Sequence, residues 1–469
     1  MTTPYWLQDA IFYQIFPDRF ANGNPNNDPS NVQKWGASPT NWHFQGGDLR
    51  GIIQRFDYLL ELGINAIYLN PIFQSPSNHR YNTTDYYKID PKLGDIFDFH
   101  ALIDMAHRNN VRIVLDGVFN HCGRGFFAFN DLAENEEHSS YKDWFHVHRF
   151  PLNAYGHGEA EHYEGWWKFK SLPKFNTRNP LVRKYIFDVA RYWIERGADG
   201  WRLDVPNEID DDVFWAEFRH VVKNTNRDAC LIGEIWLADP RWVGSRHFDG
   251  LMHYPLRAAI LDCLTGRQNV TWFADTCEFL YNLYPRENTY SMYLTLGSHD
   301  TERVLTLLGG NVDKLKLAFL FMFAWPGAPA IYYGDEVGLE GGKDPECRGA
   351  FPWERANWKG DLHPWVQALI AIRQERASLR RGDYARLAVD EAHGWYAFTR
   401  TLGEEKTLVA INTTGHAQEI VLPVKTLWPD GHLLRNLISS SATFDHRLLT
   451  VQRGKITVKL PPWSGKWLG

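Results

Sequence analysis

The chain has 469 residues, 44% of them hydrophobic, enough for a large core and for two or three domains. Its net charge of −6, with both signs mixed along the chain, offers no basic face and excludes a nucleic-acid partner. The five cysteines Cys122, Cys230, Cys263, Cys277 and Cys347 stand far apart with no CxxC, so neither a disulfide framework nor a zinc site is expected.

The opening MTTPYWLQDAIFYQIFPDRF has no basic region followed by an apolar one, so no signal peptide is expected. From there, short β-branched or aromatic runs recur between longer helical patterns. Strands are predicted at 10–16, 65–70, 111–118, 199–205, 230–236, 250–254, 293–298 and 329–335. Residues 179–197 carry apolar side chains at 181, 182, 185, 186, 189 and 193, which is helical spacing. Asn179 is placed as N-cap, Pro180 as first helical residue and Gly197 as terminator. Residues 98–110 and 363–382 read the same way. The uncharged stretch 317–333 is broken by Pro326, Gly327 and Pro329. It reads as a helix end, a turn and a strand, so no membrane span is expected. A cytoplasmic protein is the expectation.

Eight strands alternating with helices predict an α/β fold, either a closed parallel barrel or an open doubly wound sheet. No GxGxxG follows the first strand, which disfavours a dinucleotide-binding sheet. Residues 122–178, rich in aromatics, His and Gly, are too long for a plain connection and read as an inserted subdomain. The barrel is then assigned to 1–121 and 179–382. After 383 only short strands and turns follow, so 383–469 is assigned to an all-β domain.

In a (β/α)8 TIM barrel the C-terminal strand ends share one face, where active sites lie. The predicted third strand ends in Asp116, Asn120 and His121. The fourth ends in Arg202 and Asp204, the fifth in Glu234, and the seventh in His299 and Asp300. Arg202 and Asp204, two apart on a strand, point the same way. Three converging carboxylates need a cation or a shared proton, as in glycoside cleavage, where one attacks and a neutral one protonates the leaving oxygen. Arg202 is expected to keep Asp204 ionised. The aromatic share of 15%, with 20 Trp, suits stacking on sugar rings as well as ordinary cores.

DGVFNH (116–121), GWRLDV (200–205), GEIW (233–236) and GSHD (297–300), with LPKFN (172–176), resemble the motifs of the α-amylase family of glycoside hydrolases, in order and spacing. VPNE after Asp204 resembles the neopullulanase, cyclomaltodextrinase and maltogenic amylase branch. The resemblance implies Asp204 as nucleophile, Glu234 as acid/base and Asp300 as transition-state stabiliser. It implies sugar contacts from His121 and His299, a stacking Tyr81 and a nearby His79. Arg202 would orient the nucleophile, Trp236 would lie on the leaving-group side, and Arg303 is expected among the sugar contacts.

FANGNPNNDP (20–29) with GGD (46–48) resembles that branch's structural calcium site, with Asn22, Asn24, Asn27, Asp28, the Gly46 carbonyl and Asp48 as ligands. The branch has Asp where Asn24 stands. That branch also carries a β-domain before its barrel, and here the first barrel strand is predicted near residue 10. A chain without that domain, with a more open cleft, is the expectation. Pro206 and Leu237 replace the branch's usual residues on the leaving-group side.

The resulting expectation is a retaining hydrolase of maltodextrins, monomeric or homodimeric. It would favour longer linear chains over small cyclodextrins. An α-1,6 debranching enzyme, a transglycosylase and an inactive sugar-binding scaffold are the alternatives.

Overall fold

The computed structural model describes residues 3–439 and 448–469. All eight predicted strands form, each slightly shorter than the sequence pattern. They are β1 (Phe12–Ile15), β2 (Ala66–Leu69), β3 (Arg112–Gly117), β4 (Gly200–Leu203), β5 (Cys230–Gly233), β6 (Gly250–Leu251), β7 (Tyr293–Thr295) and β8 (Ala328–Tyr332). All pair in parallel in the order β6-β5-β4-β3-β2-β1-β8-β7. A parallel bridge between Met252 and Tyr293 joins the two edges, so the sheet closes into the expected barrel. Gly250 permits that closure, because a Cβ there would lie 2.0 Å from the Ser291 carbonyl oxygen.

Alternation along each strand separates two cores. Phe12, Ala66, Tyr68, Val114, Ile232, Tyr293 and Ala330 fill the barrel interior. Ile11, Tyr13, Ile67, Leu115, Trp201 and Leu231 face outward to the helical layer. The helix Pro180–Glu195 starts as predicted, with the Asn179 side chain accepting from Leu181 N. It buries Val182, Ile186, Val189 and Trp193. Between β3 and that helix lie the helix Phe127–Asn135 and isolated bridges joining Phe145 to Phe175 and Gly165 to Pro173.

The C-terminal part is antiparallel. Its strands are β9 (Asp383–Asp390), β10 (Trp395–Leu402), β11 (Glu405–Asn412), β12 (Gln418–Pro423), β13 (Leu433–Leu434), β14 (Asn436–Ser439), β15 (Leu449–Thr450), β16 (Lys455–Leu460) and β17 (Ser464–Leu468). Five of them form a sheet in the order β9-β10-β11-β17-β14, and β12 pairs with β16. Leu408, Ala410, Ile420, Leu422 and Val458 belong to one buried cluster between these layers. The opposite face of the larger sheet joins the barrel's core. Phe398 packs on Phe321 and Trp325 at 5.6 and 6.1 Å between ring centroids.

Candidate active site

The register of three strands builds the centre. Asp116 on β3 stands opposite Arg202 on β4, and Leu203 stands opposite Gly233 on β5. Asp204 and Glu234 each follow one of that last pair, so both leave the barrel at the same level. Their amides continue the sheet, Asp204 N donating to Gly117 O at 3.1 Å and Glu234 N to Leu203 O at 3.0 Å.

Arg202 gathers the acids. Its Nη1 lies 2.9 Å from Asp116 Oδ1 and 3.0 Å from Asp204 Oδ1, and its Nη2 lies 2.8 Å from Glu234 Oε1. The second Asp116 oxygen accepts from the hydroxyls of Tyr68 at 2.6 Å and Tyr81 at 2.8 Å. The second Glu234 oxygen accepts from Val205 N at 3.0 Å. Val205 stands in the left-handed region (φ 37, ψ 50), an uncommon conformation for a β-branched residue. The turn after Asp204 is thus bent so that its amide meets Glu234.

Asp300 approaches from β7. Its Oδ2 lies 3.0 Å from His299 Nε2, and its Oδ1 lies 3.3 Å from Arg348 Nη2. His299 Nε2 is also 2.5 Å from the Tyr81 hydroxyl, and the two rings stack at 5.3 Å and 5°. Gln14 Nε2 is 3.0 Å from His299 Nδ1, tying β1 into the same network. His79 Nδ1 accepts from Tyr81 N at 3.1 Å. His121, in the segment after β3, stacks on Trp166 at 5.4 Å and 24°. Its buried Nε2 has no partner among the described residues.

The electrostatics are those of an acid cluster short of positive charge. Burial pushes the Glu234 carboxyl up to about 7, against the attraction of Arg202. Burial also pushes Asp204 well above the ordinary carboxylate range. Arg202 opposes that, while Glu234, Asp116 and Asp300 add to it. Arg202 lowers Asp204 in the expected direction, but the same guanidinium also meets Asp116 and Glu234, so it serves three carboxyls at once. Asp300 is held below its ordinary value, because His299, Arg348 and Arg202 outweigh its burial. Burial pushes His79 and His121 down to about 3, so both are neutral imidazoles near pH 7.

Asp204, Glu234, Asp300, Arg202, His299, Tyr81 and His79 form one connected set, and His121 stands in the segment that follows β3. Trp236 stands two residues past Glu234, stacked on Tyr254 at 3.8 Å and 4°, with 46% of its surface exposed. Arg303 departs from the expectation. It is fully buried, with Nη1 3.0 Å from Asp335 Oδ1 and Nε donating to Cys347 O at 2.9 Å. It lies three residues past Asp300 but turns into the protein beneath β8, so it is a framework residue with no surface for a sugar. Arg348, which the sequence did not single out, takes the position beside Asp300. Its signal is weak, since it comes 48 residues later in an aperiodic loop.

The proposed calcium ligands split into two groups. Asn22 Nδ2 lies 2.9 and 3.0 Å from the two Asp28 oxygens. A Cβ on Gly46 would lie 2.4 Å from Asp28 Oδ1 and 2.6 Å from Asn22 Nδ2, so Gly46 closes on the same two residues. Buried oxygens of Asn22 and Asn27 have no partner among the described residues. Asp48 is committed to backbone amides, accepting from Gly23 at 3.1 Å, Asn24 at 2.8 Å and Gly51 at 2.6 Å. Asn24 Oδ1 accepts from Asn26 N. The oxygen-rich donor set, with two orphaned amide oxygens, fits a hard cation.

Comparison with known proteins agrees with this geometry. The family model for the α-amylase catalytic domain matches residues 14–378. A cyclomaltodextrinase of Geobacillus thermopakistaniensis is 42% identical over 464 residues, covering 98% of this chain and 77% of that protein. Among solved structures, the cyclic α-maltosyl-(1→6)-maltose hydrolase of Arthrobacter globiformis aligns with a TM-score of 0.90 at 38% identity, covering all of both chains. The Nostoc punctiforme debranching enzyme aligns with a TM-score of 0.89 at 40% identity, covering 100% of this chain and 99% of that one. This chain belongs to the α-amylase family of glycoside hydrolases.

Proposed function

We propose that the protein hydrolyses α-1,4 bonds of maltodextrins with retention of configuration, using Asp204 as nucleophile and Glu234 as acid/base. The carrying observation is the sharing of Arg202 by Asp204 and Glu234, with the second Glu234 oxygen held by Val205 N. Glu234, raised to about 7, carries the proton that the leaving oxygen needs. As Glu234 gives that proton up, Asp204 attacks the anomeric carbon and the glycosidic C–O bond breaks. Water then attacks the glycosyl ester as Glu234 takes its proton, and two inversions restore the α-anomer. Asp300, His299 and His121 hold the sugar's hydroxyls, and Tyr81 faces the ring.

A second reading, cleavage of α-1,6 bonds, has a specific support. Solved structures that align with the whole chain include a (1→6)-maltosyl ring hydrolase and a debranching enzyme. The same acids serve both linkages, and the loops after β4 and β5, with Pro206, Trp236 and Leu237, would decide between them.

Calcium, where bound, would be held by Asn22, Asn27, Asp28 and the Gly46 carbonyl, with Asn24 and Asp48 shaping the loop around it. It would supply charge neutralisation and a tie between the loop after β1 and the next helix. The five unpaired, buried cysteines support a reducing, cytoplasmic setting. Among the described residues no helix is long and apolar enough to cross a membrane.

The test of the acid assignment is Glu234→Gln. Activity on maltotriose should fall about 10³-fold, and glycosylation by α-maltosyl fluoride far less, because fluoride leaves without a proton. Equal losses on both substrates would remove Glu234 from the acid role.

A further inference from the structure

Two adjacent tryptophans extend the active site outward. Trp166 covers His121, and Trp167 stacks on Trp166 at 4.6 Å and 11°. The three rings form a ladder from the segment after β3 to the surface. Trp167 ends it with 72% of its surface exposed. One indole face is covered by Trp166, and the remaining exposure leaves the outer face open.

The backbone is strained to achieve this. Trp167 (φ 47, ψ 31) and Lys168 (φ 62) both stand in the left-handed region, which side chains other than those of Gly and Asn rarely adopt. Four backbone hydrogen bonds hold the turn: Trp166 N to Leu172 O, Lys168 N to Gly165 O, Phe169 N to Trp166 O, and Ala160 N to Lys168 O, all 2.8–2.9 Å. Lys168 Nζ pairs with Glu159 Oε2 at 2.9 Å, outside the ladder. The Trp166 Nε1, buried and without a partner among the described residues, is a donor left over beside His121. A fold that required only a packed turn would not combine two left-handed residues with an open indole. Strain of this kind persists where function uses the conformation it enforces.

We propose that Trp166 and Trp167 form a remote glucan-binding platform, on whose outer indole face a hexose unit of the substrate stacks, away from the bond being cleaved. A flat apolar ring suits the C–H face of a glucose unit, while the sugar's hydroxyls stay in water. The platform stands two ring spacings from His121, so only a chain long enough to reach it gains the contact. Short substrates are then held only by the residues around the cleavage point, and long ones by these plus the platform. Binding energy gained at a distant unit can be used at the reacting bond. The proposal deepens the maltodextrin reading and rests on it.

The experiment compares wild type with Trp167→Ala and Trp167→Tyr in the full chain, using maltotriose to maltoheptaose. In Trp167→Ala, kcat/KM for maltoheptaose should fall about tenfold and for maltotriose less than twofold, with Trp167→Tyr recovering most of the loss. A uniform loss across chain lengths would overturn the platform and leave Trp167 as packing for Trp166. In parallel, Glu234→Gln is titrated with maltoheptaose by calorimetry, with and without Trp167→Ala. Weaker binding in the double variant supports the platform, and unchanged Kd overturns it. This second arm needs no turnover: if wild type fails to cleave any maltooligosaccharide, the hydrolase reading falls while the platform is still decided.

Discussion

Arg202 offers two terminal nitrogens to three carboxyls, Asp116, Asp204 and Glu234. Asp116 is the best served, with two tyrosine hydroxyls in addition. Burial raises both Asp204 and Glu234, the latter to about 7, so the proton that Arg202 cannot offset lies within the pair proposed to perform the chemistry. An acid catalyst works while protonated, so kcat/KM on maltodextrin should hold up to near neutrality and fall tenfold per unit as pH rises beyond about 7. An alkaline limb beginning near pH 5 would mean that Glu234 titrates as an ordinary exposed glutamate. The acids were legible in the sequence because each follows an apolar run that could only be a strand. Arg303 was misplaced because proximity to Asp300 in sequence says nothing about which way a side chain turns once the chain leaves the barrel. Arg348 and Trp167 went unseen for the related reason that loops have no periodicity to read.

Among the elements, β1, β8 and the helix Phe56–Leu62 meet around one buried carboxyl. Glu336, just after β8, accepts from the hydroxyls of Tyr13 at 2.6 Å and Tyr58 at 2.5 Å. Among the described residues no cation pairs with it, and burial raises it from 4.5 to about 7. The native state therefore holds this proton more tightly than the unfolded chain does. Its stability contribution is full below about pH 4.5 and is lost as pH rises through about 7. The loss is on the order of 3 kcal/mol. Between pH 5 and pH 7.5 the melting temperature of wild type should fall more steeply than that of Glu336→Gln, followed by circular dichroism. Parallel slopes would show that Glu336 is ionised throughout. All eight barrel strands were visible as β-rich apolar runs, yet this junction was not. The run PAIYYGDE shows that Asp335 and Glu336 come at the end of a strand, but not that the chain folds them inward.

Across the whole molecule, distant segments converge on the barrel's catalytic end. The loop after β1 is bound to the next helix by Asp48, which caps Leu49–Gln54 and also holds Gly23 and Asn24. Calcium in that loop would act on stability rather than on chemistry, since no proposed ligand touches the acids. Chelation should lower the melting temperature by several degrees while leaving the initial rate at low temperature within about twofold. If neither melting nor metal content responds to chelator, Asn22, Asn27 and Asp28 form turns only. The C-terminal sheets were legible as alternating strands, but their attachment was not. Which face of β10 meets Phe321 and Trp325 depends on a contact between segments about 75 residues apart, which no local pattern encodes.

The central claim is that Asp204 forms a covalent bond to the sugar, and it can be tested by catching that bond. Glu234→Gln treated with α-maltosyl fluoride should glycosylate readily and turn over slowly, because no base remains to activate water. Peptide mass spectrometry should then find a maltosyl addition on the peptide carrying Asp204, and Asp204→Asn in the same background should abolish it. Consumption of the fluoride with no adduct on Asp204, and a product that is initially the β-anomer, would contradict the account.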